Sequence, residues 1–101
     1  MLDIVYLPSF QKDIDAIINY ITYTLEAPKA ASNLLDELEK SINDLKIFPL
    51  AYRLYLPIRP ILTEYRVLTV KNYLVFYVVL EKTIEIHRII YKKRDLSQLI
   101  K

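Results

Sequence analysis

Residues 64–95 read EYRVLTVKNYLVFYVVLEKTIEIHRIIYKKRD, and this stretch decides the fold. Two polar breaks, Lys71-Asn72 and Glu81-Lys82-Thr83, divide it into apolar runs of strand length. The middle run is apolar at every position, which is typical of a strand covered on both faces. We therefore predict three consecutive antiparallel strands that end in a basic cluster: Glu64–Val70, Tyr73–Leu80 and Ile84–Tyr91.

The third strand alternates between apolar and polar residues, as expected when one face is buried. The alternation places Ile84, Ile86 and Ile90 on one face, with Glu85 and His87 on the other. Arg88 falls on the apolar side of this pattern. Because an unpaired buried charge is strongly destabilising, we expect Arg88 to be paired, with Glu64 or Glu85 as candidate partners.

The turns must form without glycine, which is absent from the chain. Asn tolerates a positive φ better than other residues with a side chain. A two-residue hairpin loop commonly needs such a backbone conformation. We therefore expect a positive φ at Asn72.

The first half of the chain predicts two helices. Leu2–Leu7 is a short β run stopped by Pro8, and Ser9 is the expected N-cap of the first helix. Apolar residues then recur with helical spacing in two stripes, Phe10, Ile14, Ile17, Ile18, Ile21 and Leu25, followed by Ala31, Leu34, Leu35, Leu38, Ile42 and Leu45. Pro28 fits the first turn of the second helix. The short connection predicts an antiparallel helical hairpin that covers one face of the sheet.

Composition narrows the possible classes. A chain of 101 residues fits one domain, residues 1–101. Cysteine is absent, and His87 is the single histidine, so no thiolate or two-histidine metal site is available and we expect no metal or cofactor. The N-terminal sequence lacks the pattern of a signal peptide, and no apolar run reaches membrane-spanning length. We expect a cytoplasmic α+β protein without membrane association.

Charge is distributed unevenly along the chain. Residues 1–50 carry four lysines and eight acidic residues, whereas residues 51–101 carry ten basic and four acidic residues. The candidate binding residues are therefore the basic and aromatic positions of the sheet: Arg66, Arg88, Tyr91, Lys92, Lys93 and Arg94. Such side chains neutralise phosphates and stack on bases. The alternative interpretation is an ordinary solvated strand end, with His87 as a surface residue.

The order β-α-α-β-β-β, with YRVLTVKNYLVFYVV and IEIHRIIYKKRD in its last third, resembles the RelE/ParE superfamily of bacterial type II toxins. The resemblance covers nearly the whole chain. It implies an α+β fold in which a helical hairpin packs on one face of a small, mainly antiparallel sheet. It also implies a toxin that is encoded beside an antitoxin, whose C-terminal segment neutralises it.

The resemblance implies two possible mechanisms. ParE-like members bind DNA gyrase without chemistry, whereas RelE-like members cut mRNA on the ribosome. Arg66 and Arg94 match basic positions of the RelE-like pattern, but Leu74 and Ile100 stand where a catalytic Arg and Tyr are typical. We therefore favour gyrase inhibition. The first alternative is an mRNA endonuclease that uses Arg66, Arg88 and Arg94, with His87 or Tyr91 as acid or base; the second is a nontoxic interaction module.

All three alternatives predict a protein partner. The apolar hairpin and exposed tyrosines suit an amphipathic partner helix. We expect an acidic antitoxin segment to cover the basic end, Arg88 to Arg94. A homodimer within the toxin–antitoxin heteromer is compatible with the resemblance.

Overall fold

A computed structural model describes residues 2–56 and 63–93, so Arg94 and Ile100 lie outside the described residues. The elements are β1 (Asp3–Tyr6), α1 (Pro8–Asn19), a π-helical turn (Tyr20–Thr24), α2 (Pro28–Leu45), β2 (Arg66–Val70), β3 (Tyr73–Val79) and β4 (Thr83–Tyr91). The predicted order β-α-α-β-β-β and the α+β class are confirmed. None of the described helices is long and apolar enough to cross a membrane.

The four strands form one sheet in the order β1-β4-β3-β2. β1 runs parallel to β4, and the other two pairings are antiparallel. β3 is an interior strand, as its continuous apolar run predicted, and Leu74–Val78 are all buried.

The helices cover one face of the sheet, which we call the helix-covered face. Phe10, Ile14, Leu34, Leu38 and Ile42 pack there against strand residues that include Leu68, Val75, Tyr77, Ile84, Ile86 and Ile89. The opposite face, called here the outer face, has a smaller cluster of Val67, Leu74, Phe76 and Ile90, with Tyr55 and Tyr65 packed against it. β3 therefore contributes buried side chains to both faces.

The turn between β2 and β3 corrects one prediction. Positive φ occurs at Lys71 (53°), and not at Asn72. Hairpin turns of types I′ and II′ both have a positive φ at the first loop residue, here Lys71, whereas the prediction placed it at the second loop residue, Asn72. The register, with Val70 opposite Tyr73, confirms that Lys71 and Asn72 are the two loop residues.

The start of α1 corrects a second prediction. Leu7 is the N-cap residue and Pro8 begins the helix, so Ser9 lies inside the first turn. The Ser9 hydroxyl donates to the carbonyl oxygen of His87 at 2.7 Å. Pro8 fits at N1 because its missing N–H would have no helical partner. Ser9 is therefore a link between α1 and β4, and not a helix cap.

A β-bulge in β4 changes the predicted alternation. Tyr77 pairs with Ile86 and Phe76 pairs with Arg88, so His87 has no opposite residue. An extra residue reverses the side-chain alternation beyond it. Ile84 and Ile86 therefore face the helices, whereas Ile90 belongs to the outer-face cluster, contrary to the prediction that all three share a face.

Asp13 of α1 pairs with β4 just beyond the bulge. Its Oδ2 accepts from Arg88 Nε at 2.6 Å and from the Ile89 backbone N–H at 3.1 Å, and its Oδ1 accepts from Arg88 Nη2 at 2.9 Å. Arg88 is thus paired, as predicted, but with Asp13 and not with Glu64 or Glu85. Asp13 is not part of the apolar stripe of its helix, and only the tertiary arrangement brings it to the sheet.

Tyr77 gives the fold a testable pH dependence. Its ring is fully buried, and its hydroxyl donates to the carbonyl oxygen of Pro49 at 3.0 Å. Burial raises the pKa of Tyr77 from 10.0 to about 12. The unfolded chain releases this proton at lower pH than the folded protein. The contribution of the protonated Tyr77 to the free energy of unfolding is therefore fully present below pH 10.0 and is lost as the pH rises towards about 12.

We predict that Tyr77→Phe removes this part of the pH dependence. Urea unfolding between pH 9 and pH 11.5 measures the effect. One titrating group changes the free energy of unfolding by at most about 1.4 kcal/mol per pH unit. Tyr23→Phe is the control, because Tyr23 is 76% exposed. A pH dependence that is the same in the wild type and in Tyr77→Phe would contradict the prediction.

Candidate functional site

Three outer-face side chains form a hydrogen-bonded chain around His87, which we call the His87 network. The Tyr65 hydroxyl lies 3.0 Å from His87 Nδ1, and His87 Nε2 lies 3.0 Å from Glu85 Oε1. The Tyr65 and His87 rings also meet edge to face, with centroids 5.1 Å apart. The imidazole is therefore held from both sides, and 18% of its side chain remains exposed.

The network fixes the direction of its hydrogen bonds. An ionised Glu85 can only accept, so the neutral imidazole must donate from Nε2 and accept from Tyr65 at Nδ1. Burial raises the pKa of Tyr65, an effect that Arg88 opposes and Glu85 reinforces. The phenol therefore stays protonated at neutral pH and can donate a hydrogen bond to His87. A protonated His87 would donate to both neighbours, so the arrangement can hold or pass one proton.

Arg88 lies next to this network with its charge balanced by Asp13. The side chains of Arg88 and Asp13 are 23% and 16% exposed. The hydrogen bonds that Arg88 donates to Asp13 raise the pKa of Arg88, against a smaller opposite effect of burial. The ion pair joins α1 to β4, so Arg88 has a structural role whatever else it binds.

Arg66 lies on the other side of the sheet. It pairs with Tyr77, whose ring belongs to the helix-covered core, and its guanidinium donates to the carbonyl oxygen of Tyr52 at 2.8 Å. Arg88 instead pairs with Phe76, whose ring belongs to the outer-face cluster. The predicted residues Arg66 and Arg88 therefore do not form one cluster.

Three further predicted residues, Tyr91, Lys92 and Lys93, lie at the far end of β4. Tyr91 is 42% exposed and meets Tyr73 with ring centroids 5.7 Å apart. Lys92 and Lys93 are exposed, and the Lys92 backbone N–H donates to the carbonyl oxygen of Asn72 at 3.0 Å. This lysine pair is thus fixed beside the β2–β3 turn, away from the His87 network.

A groove opens beside Tyr91, between the tip of the helical hairpin and the end of the sheet. We call it the tip groove; its volume is about 730 Å³, and its lining includes Ala16, Tyr20, Leu25, Ala30, Tyr73 and Tyr91. A second cavity, the interhelical cleft, has a volume of about 500 Å³ and is lined by residues such as Phe10, Ile14, Leu35 and Leu38. The sequence analysis expected exposed tyrosines to suit a partner helix but did not single out Tyr20, and periodicity alone could not place the groove.

The residue types for a metal centre do not converge within the described part of the chain. Among residues 2–56 and 63–93, no three Asp, Glu or His side chains are grouped closely enough to hold a metal ion.

We predict that neutral His87 carries its proton on Nε2. Nitrogen-15 chemical shifts of the imidazole distinguish the two tautomers, and Glu85→Gln should weaken the preference, whereas Glu81→Gln at an exposed turn should not. Tyr65→Phe should lower the free energy of unfolding by about 1 kcal/mol, the usual net value of one hydrogen bond. A wild-type imidazole protonated on Nδ1 would contradict this arrangement.

Comparison with known proteins agrees with the fold. Residues 4–96 match the family model described as the ParE toxin of the type II toxin–antitoxin system, parDE. A solved chain from the chromosomal ParDE toxin–antitoxin system of P. aeruginosa superimposes with a TM-score of 0.68 at 22% identity, covering 88% of this chain and 94% of that chain. No curated protein matches the sequence significantly. The family match spans most of the sequence, and the chain belongs to the ParE toxin family of type II toxin–antitoxin systems.

Proposed function

We propose that this chain is a toxin that inhibits DNA gyrase by binding to it, and that a cognate antitoxin neutralises it in the cytoplasm. The family match over residues 4–96 carries the proposal. The solved relative belongs to a ParDE toxin–antitoxin system, which supports a protein antitoxin as partner.

The distribution of the basic residues favours binding over RNA cleavage. A nuclease needs its cationic groups around one scissile phosphate. Arg66 and Arg88 lie on opposite faces, and the charge of Arg88 is balanced by Asp13. Leu74, at the position where RelE-like toxins tend to carry a catalytic Arg, is buried in the outer-face cluster.

Exposed apolar side chains provide surface for a large protein target. Four residues that follow α2 are each more than 60% exposed: Ile47, Phe48, Leu50 and Leu56. Tyr20 and Tyr23 are exposed at the opposite end of the helical hairpin. Grouped apolar exposure of this kind is typical of interaction sites in soluble proteins. Gyrase and the antitoxin can thus contact different parts of the chain or compete for one of them.

We predict that induced expression in bacteria stops thymidine incorporation before amino-acid incorporation. Co-expression of the antitoxin should restore both. The physical reason is that a gyrase inhibitor blocks the relief of DNA supercoiling and leaves the ribosome untouched. Parallel pulse labelling measures the order, and a prior loss of amino-acid incorporation would contradict gyrase as the first target.

The His87 network supports a second candidate, an mRNA endonuclease. In such a reaction the 2′-oxygen of RNA would attack the adjacent phosphorus, and its proton would pass to Glu85. The bond to the 5′-oxygen would break, and Tyr65 would donate the proton to this leaving group. Solvent would reset the pair by taking the proton from Glu85 and returning one to Tyr65, while His87 holds both side chains in place through contacts of 3.0 Å.

Purified protein and mRNA-loaded ribosomes separate the two candidates. Our proposal predicts no cleavage. If cleavage occurs, the second candidate requires Glu85→Gln to reduce it at least ~100-fold, the usual contribution of acid–base catalysis. Arg66→Ala is the comparison variant, because Arg66 lies on the helix-covered side and should leave such a reaction nearly unchanged.

A further inference from the structure

Two cavities meet at Tyr91, at the end of β4. One is the tip groove; the other has a volume of about 450 Å³ and lies between α1 and β4, and we call it the junction pocket. Ala16, Ile17 and Tyr91 line both cavities. The surface is therefore continuous from the side of α1, across Tyr91, to the turn between β2 and β3.

Exposed lysines lie along this surface. Lys12 lines the junction pocket, and Lys71 lines the tip groove. Lys92 and Lys93 follow Tyr91, and the Lys92 backbone N–H donates to the carbonyl oxygen of the residue after Lys71 at 3.0 Å. All of these lysines are exposed. We call Lys12, Lys71, Lys92 and Lys93 the lysine strip.

Acidic side chains near the strip do not cancel its charge. Asp13 lines the junction pocket, but it accepts hydrogen bonds from Arg88 and from a backbone N–H of β4. Asp15 accepts from Gln11, which lines the interhelical cleft. Glu26 is exposed between the π-helical turn and α2 and lines neither cavity of the strip. The strip therefore concentrates positive charge in a chain whose net charge is only +2.

The chemistry of the strip suits the phosphates of a nucleic acid. A lysine ammonium group is a compact charge with rotatable donors, and contacts to phosphates carry no sequence information. Stacking on unpaired bases needs open aromatic faces. Tyr73 and Tyr91 instead pack edge to face, with ring centroids 5.7 Å apart. The strip therefore favours the regularly spaced phosphates of duplex DNA, which is what the proposed target, gyrase, holds.

We propose that the lysine strip binds the phosphate backbone of duplex DNA, without sequence preference, while the toxin is bound to gyrase. This inference rests on gyrase as the proposed target and adds a second ligand, the DNA on the enzyme. Few phosphate contacts give weak binding to free DNA, with a Kd of about 10⁻⁴ M at physiological salt. Binding to gyrase raises the local concentration of DNA to the order of 1 mM, so DNA should strengthen toxin binding to the enzyme about tenfold.

The salt dependence of binding to free DNA tests the ligand and the location. Fluorescence anisotropy of a labelled duplex gives the slope of the logarithm of affinity against the logarithm of salt concentration. One phosphate contact for each lysine of the strip predicts a slope of about −3.6. Lys12→Gln combined with Lys71→Gln should reduce its magnitude by about 1.8, because two contacts are lost.

A second double variant is the matched control. Lys40→Gln combined with Lys82→Gln removes the same charge from exposed positions that line neither the tip groove nor the junction pocket. It should leave the slope at the wild-type value. Circular dichroism checks that both double variants remain folded. Equal slopes in the two double variants would overturn the assignment of the strip.

Gyrase with and without bound duplex DNA tests the combined complex. Wild-type toxin should bind the DNA-bound enzyme about tenfold more tightly than the free enzyme. For Lys12→Gln with Lys71→Gln the two affinities should be equal, whereas Lys40→Gln with Lys82→Gln should keep the wild-type difference. Surface plasmon resonance with immobilised gyrase measures these affinities.

The outcomes separate this inference from the function on which it rests. If the toxin binds duplex DNA with the expected slope but does not bind gyrase, the proposed target is wrong and the DNA-binding strip stands. If the wild type binds gyrase equally with and without DNA, this inference is overturned and gyrase remains the target. Tighter binding of single-stranded RNA than of duplex DNA would assign the strip to RNA. If Lys12→Gln with Lys71→Gln loses the antitoxin but keeps the wild-type DNA slope, the strip binds an acidic protein segment instead.

Discussion

The carboxylate of Asp13 completes an edge of β4 that β1 is too short to cover. β1 has four residues and pairs with β4 only as far as Ile86. Beyond that point the Ser9 hydroxyl binds the carbonyl oxygen of His87, and Asp13 binds the N–H of Ile89. Buried backbone groups are costly when they lack partners. The first turns of α1 therefore replace the missing strand, and this replacement fixes α1 against the sheet.

The bulge at His87 and the contact of Asp13 explain why the basic residues are separated. The bulge leaves His87 without an opposite residue, and its imidazole contacts Tyr65 and Glu85 on the outer face. Asp13 then holds the guanidinium of Arg88 at the junction with α1. The two lysines after Tyr91 continue to the end of the sheet, beside the tip groove. One strand thus supplies a hydrogen-bonded network, a structural ion pair and two lysines beside the tip groove.

The sequence was sufficient for the elements and their order, because long apolar runs and helical stripes depend on local spacing. It was insufficient for the details that position the site. Strict alternation along β4 could not reveal the bulge, which moved Ile90 to the outer face. The partner of Arg88 lies 75 residues away in the chain, and no local pattern indicates it. The basic residues stand out in the composition of the second half of the chain, but their distribution over two faces depends on register.

Amide hydrogen exchange at Ile89 tests the central role of Asp13 most directly. If Asp13 replaces the missing strand, the Ile89 amide should exchange as slowly as amides of β3 in the wild type. In Asp13→Ala it should exchange much faster, while Asp15→Ala should leave it protected. Rapid exchange of Ile89 in the wild-type protein, or unchanged protection in Asp13→Ala, would contradict this account of how α1 and β4 are held together.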